Sequence, residues 1–170
     1  KGGGSETVTV TFKPTVTGAQ SGTITVESDN AEEGTLTLNV SGTGVLSEIE
    51  LSTGSVAIGN VAVGSSASGT FAITNSGNKT LVVSSISVDN TVFTVSPSSA
   101  SVAAGGSQTV TVSFRPTVSG AQSGTITVVS DDLDDGTLTV SVSGTGVSPE
   151  IKLSAGSVAI GDVAVGSSNT

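Results

Sequence analysis

The sequence predicts an all-β protein made of tandem immunoglobulin-like β-sandwich domains of about 102 residues, one complete unit flanked by two partial units. Three observations carry this. Val, Ile, Leu and Thr dominate, and these are mostly strand formers. Short runs alternate apolar and polar residues, with turn-forming Gly, Ser and Asn between them. Finally, residues 1–68 align with residues 103–170 without a gap, and about 48 of the 68 pairs are identical. A period of about 100 residues is too long for a solenoid and has the size of one sandwich.

The natural cut falls just after "SGTGV". Residues 1–45 then read as the C-terminal part of a preceding repeat, 46–147 as a complete repeat, and 148–170 as the N-terminal part of a following one. Neither flanking piece has a counterpart of Gly69–Val102, so the chain reads as a window on a longer array.

Within the complete unit the first strand candidates are "EIEL" at Glu48–Leu51 and "VAIGNVAVG" at Val56–Gly64. "GTFAITNSG" turns Phe71 and Ile73 to one face and ends in a turn at Asn75–Asn78. "TLVVSSISV" follows, and "TVFTVSP" ends at Pro97. "TVTVSF" sets Val110, Val112 and Phe114 against Thr109, Thr111 and Ser113. Pro116 has no amide proton and closes that strand. "GTITVV" points Ile126 and Val128 inward, and "GTLTVSVSG" does the same with Leu138, Val140 and Val142. That makes seven or eight short strands. No stretch shows a helical period with caps, so helix content should be very low. "SGTGV" runs into "SPEIKLS" with almost no spacer, which predicts an extended rod rather than beads on a flexible string.

"FRPTVSGAQSGTITVVSDDLDDGTLTVSVSGTG" resembles the end of a choice-of-anchor D, or ASH/Hydin-type, immunoglobulin-like repeat. "VAIGNVAVGSSASGTFAITNSGN" is similar to the opening of the same repeat. The resemblance implies large repetitive bacterial surface or secreted proteins, or cytoskeletal scaffolds in eukaryotic relatives. The acidic turn "DDLDDG" departs from the pattern by lacking the proline common in relatives.

Composition narrows the function. The net charge of -9, with five Lys plus Arg and no His, argues against nucleic acid and anionic membranes as partners. No apolar run approaches a membrane-spanning helix, so no membrane insertion is expected of this segment. Without Cys there are no disulfides or thiolate sites. Ser is plentiful, but a Ser nucleophile needs a base and His is absent. Lys79 is placed in an exposed turn, unsuited to that role or to an intramolecular crosslink. The chain is therefore expected to be no enzyme and to need no cofactor.

One cluster carries a metal expectation. Asp131, Asp132, Asp134 and Asp135 offer hard oxygen ligands in one short loop, a calcium candidate. Their spacing does not fit D-x-[DN]-x-[DN]-G, because Leu133 takes a ligand position. The alternative is a solvated hairpin loop closed by Gly136. The preceding copy carries Asp29, Asn30, Glu32 and Glu33 there. The glycines of "SGTG" read as backbone freedom at a domain junction.

These readings point to a structural repeat module of an extracellular bacterial stalk, fibre or filament. Its expected partners are neighbouring repeats of the same chain and other copies through self-association. The alternative is an adhesin or scaffold repeat that binds a protein or glycan through loops or edge strands.

Overall fold

The computed structural model describes residues 3–29, 31–32 and 34–168. Among them there is no helix, as the missing helical period predicts. Alternating Val, Ile and Thr instead form eleven strands. The first two are β1 (Gly18–Glu27) and β2 (Thr35–Gly44), an antiparallel pair. The other nine form the complete unit: β3 (Ile49–Leu51), β4 (Ser55–Ala62), β5 (Ala67–Asn75), β6 (Leu81–Val88), β7 (Phe93–Ser96), β8 (Ala100–Val102), β9 (Ser107–Phe114), β10 (Gly120–Ser130) and β11 (Thr137–Val147). All eight strand candidates within residues 46–147 are present. Sequence reasoning missed β8, whose three residues are too few to show alternation.

Two sheets face each other. One has the order β4-β11-β10-β6-β8 and the other β3-β5-β9-β7. All ladders are antiparallel except that between β4 and β11. The inner faces carry the residues that alternation assigns to them. Phe71, Ile73, Val110, Val112 and Phe114 come from one sheet; Leu81, Ile86, Ile126, Val128, Val140 and Val142 come from the other, all buried. Leu138 is only partly buried, at the margin of the same core. Each fully buried side chain of this kind contributes roughly 1.5–3 kcal/mol. Phe93 stacks on Phe114 with ring centroids 4.7 Å apart, a centre that Val and Ile alone could not fill.

The "SGTG" glycines have a packing role, which corrects the reading of backbone freedom at these positions. Gly144 and Gly146 lie inside β11 and neither has positive φ. A Cβ on Gly144 would sit 2.5 Å from the Phe114 ring, and one on Gly146 would collide with the carbonyl of Val118. Gly42 repeats the first relation with Phe12, and Gly44 the second with the carbonyl of Val16. These positions lack a side chain so that the preceding Phe-x-Pro segment can lie against the last strand.

The flanking pieces show how far strand formation depends on partners. The β1–β2 register repeats that of β10–β11 pair for pair, from Gly18↔Gly44 and Gly120↔Gly146 onward. Yet "TVTVTF" at Thr7–Phe12 joins no ladder, whereas its counterpart lies in β9 between β5 and β7. Likewise "GSVAIGDVAVGSS" at Gly156–Ser168 has no ladder, although its near-twin contains β4. Phe12 is 49% exposed, against 0% for Phe114, which lies in β9 between β5 and β7. A strand needs its neighbour's hydrogen bonds and apolar face as much as its own pattern.

Candidate functional site

The densest polar constellation lies at the pole where residues 44–49 enter the complete unit. It is built from the β5–β6 turn, the β10–β11 turn and the entering segment. Asn75 stands at its centre. It shares its parity along β5 with Phe71 and Ile73, so its side chain points inward and is fully buried. Its Nδ2 donates to the carbonyls of Lys79 (2.7 Å) and Val102 (3.0 Å). Its Oδ1 accepts from the amides of Glu48 (3.2 Å) and Gly77 (3.1 Å). A buried amide with every group satisfied rigidifies its surroundings. The expected turn at Asn75–Asn78 is present, with Asn75 as its buried anchor.

Asn78 grips the junction itself. Its Oδ1 accepts from the Leu46 amide (2.9 Å) and its Nδ2 donates to the Gly44 carbonyl (3.2 Å). The backbone amides of Asn78 and Lys79 both donate to the Leu46 carbonyl, at 3.0 and 2.9 Å. Gly77 admits this approach: a Cβ there would lie 2.8 Å from the Glu48 nitrogen and closer still to the Leu46 carbonyl. The last residue of β2 is thus tied to the β5–β6 turn by a side chain of that turn.

The acidic turn holds the other side. Asp132 is buried, and its Oδ2 accepts from the Ile49 amide at 2.7 Å. Its Oδ1 accepts from the amides of Asp134 and Asp135, both at 3.1 Å, which folds the turn on itself. Burial pushes this carboxyl up, and the amides of Ile49, Asp135 and Asp134 more than offset it, so it sits below its usual value. Asp131 accepts from the Val82 amide (2.8 Å) and from Lys79 Nζ (3.3 Å). The Val82 amide is the main cause of its lowered pKa, burial opposes it, and Lys79 and the Ser47 hydroxyl add to the lowering. Asp134 and Asp135 are exposed.

The four aspartates of the calcium expectation therefore divide. Asp131 and Asp132 hold backbone amides, and the turn is a hairpin closed by the Ser130 amide on the Gly136 carbonyl, with Asp132 buried and Asp131, Leu133, Asp134 and Asp135 exposed. The carboxylates that approach one another are those of Glu48, Asp132 and Asp134, within 4.8 Å. Glu48, which sequence reasoning did not include, has its pKa raised, chiefly by Asp134 and then by burial and the other acidic neighbours. In the preceding copy, Asn30 and Glu33 lie outside the described residues. Lys79 is half-exposed and paired with Asp131 at 3.3 Å.

The sequence model of the family described as "HYDIN/CFA65/VesB-like, Ig-like domain" matches residues 47–145. No curated protein matches the chain by sequence. Among solved structures, the chain is similar to the ASH/PapD-like domain of human CEP192 (PapD-like domain 7). The identity is 18% and the TM-score 0.51, over 62% of this chain and 89% of that one. It is also similar to a protein of unknown function from Porphyromonas gingivalis W83, at 18% identity and TM-score 0.54, over 78% of this chain and 68% of that one. At these identities the likeness concerns the fold.

Proposed function

Because the chain belongs to the HYDIN/CFA65/VesB-like family of Ig-like domains, we propose that it is a structural repeat module whose units are joined stiffly end to end. We read residues 1–45 and 148–170 as parts of neighbouring repeats, and the whole as a length of an extracellular bacterial stalk or fibre. The module has no chemical step in this reading. Its work is to hold distance and direction.

The clasp on Gly44–Leu46 carries the proposal. A flexible linker leaves its backbone groups to water. Here the Leu46 amide and the carbonyls of Gly44 and Leu46 are committed to Asn78 and Lys79. Bending the junction breaks these bonds together, and each contributes about 0.5–1.5 kcal/mol. The 102-residue repeat, returning the same Gly-Val ending at Gly146–Val147, lets one geometry recur along an array.

Small-angle scattering on concatenated copies of residues 46–147 tests this. The maximum dimension should grow in proportion to the number of units from two to six. Growth as roughly the square root of that number, the behaviour of a flexible string, would overturn the stalk reading.

A further inference from the structure

The complete unit carries its charge unevenly. Glu48, Glu50, Asp131, Asp132, Asp134 and Asp135 gather at the pole where the chain enters. At the tip of that acidic turn stands Leu133, 93% exposed, beside the exposed Asp134 and Asp135. A large aliphatic side chain held out on a turn folded by two hydrogen bonds to Asp132, and anchored by a third from the Ile49 amide, is a preorganised apolar probe within a negative field.

The opposite pole has the complement. There the β4–β5, β6–β7 and β9–β10 loops enclose a cleft of about 670 Å³. Val63, Val92 and Pro116 supply apolar walls, Thr94 and Ser113 supply hydroxyls, and Arg115 lies at the rim. Of the unit's two cations, Lys79 is paired with Asp131, while Arg115 meets no carboxylate among the described residues. Asp89, the acidic residue of the β6–β7 loop, has its Oδ1 on the Thr125 amide at 2.7 Å. The preceding copy keeps a cation at the position of Arg115, namely Lys13.

We propose that the acidic turn of one copy docks in this cleft of a second copy, with Leu133 against Val63, Val92 and Pro116 and with Asp134 and Asp135 facing Arg115. Charge complementarity selects this occupant: in a chain of net charge -9, an unpaired Arg beside apolar walls favours an acidic segment with an apolar tip. The two surfaces lie on opposite poles, so the contact is heterologous and propagates head to tail instead of closing on a dimer. Within an array the neighbouring repeat covers each pole, so the contact concerns the end units of two chains; it goes beyond the stalk reading and fails separately from it, since it concerns contacts between chains rather than stiffness within one.

Sedimentation velocity on the 170-residue chain tests it, from about 10 to 1000 µM in buffer of about 10 mM ionic strength, where screening is weakest. The average mass should rise with concentration. Leu133→Ser and Arg115→Glu should each weaken association about tenfold. Combining Arg115→Glu with Asp135→Arg should restore part of it by reversing the pair. All three side chains are exposed, and circular dichroism melts confirm that the variants stay folded. A chain that stays monomeric throughout would overturn the proposal. So would association indifferent to these substitutions, which would place the contact elsewhere, for instance on the apolar face around Phe12.

Discussion

Asp132 and Glu48 sit side by side, yet their carboxyls shift in opposite directions. Asp132 faces amides and Glu48 faces carboxylates, so the first prefers its charge and the second resists it. The signs fix the pH response. Asp131 and Asp132, lowered from an ordinary 3.8, contribute stability that is present above that value and lost as pH falls through their folded values. Glu48, raised from 4.5, acts oppositely, so its protonation stabilises the fold slightly as the pH falls toward that value. Thermal melts should therefore hold or rise slightly from pH 7 to about 4.5 and fall below about 3.8. Asp132→Asn keeps one oxygen acceptor and should cost about 1–3 kcal/mol at pH 7. It should also lose less on acidification than the parent; an equal loss would place the acid sensitivity elsewhere. A second residue-scale test is Gly144→Ala, whose Cβ would press on the Phe114 ring at 2.5 Å. Overpacking of this kind costs about 1–3 kcal/mol, read by urea denaturation. A neutral result would refute the packing role given to that glycine.

At the scale of elements, two near-identical segments have different fates. Residues 56–62 are held in β4 by β11, while residues 158–164 repeat all but one of those residues without a ladder. Hydrogen exchange should protect the β4 amides that bond to β11 and leave residues 158–164 exchanging at nearly free-chain rates. Equal protection of the two would contradict the dependence on partners. The same physics explains what was legible in the sequence. Alternation located β5, β6, β9, β10 and β11 because each has one buried face, and it named the core of Phe71, Ile73, Val110, Val112 and Phe114. It did not reveal β8, three residues long, nor that the strand-like Thr7–Phe12 would lie unpaired. The acidic turn was visible as a cluster, but its role was not, since spacing alone does not separate a ligand loop from a clasp. Parity held the missing signal. Asn75 continues the inward series of Phe71 and Ile73 within β5, so a polar residue at an inward position marked that anchor, whereas Asp132 lies beyond the end of β10, where alternation gives no sign.

At the scale of the molecule, the claim is that the entering pole of one unit fixes the preceding unit's last strand. Asn78 is the side chain that spans the joint, bonded to Gly44 on one side and Leu46 on the other. Its removal leaves the Asn75 anchor and the sandwich core in place, so it tests the joint without unfolding the unit. The chain has no Cys, so spin labels attach only where Cys is introduced. The exposed Thr37 of β2 and Thr109 of β9 place one label on each side of the joint. Double electron–electron resonance between Thr37→Cys and Thr109→Cys should give a single narrow distance distribution. That distribution should broaden markedly when Asn78→Ala is added. A broad distribution in the parent, or one whose width is unchanged by Asn78→Ala, would contradict a junction held by this clasp.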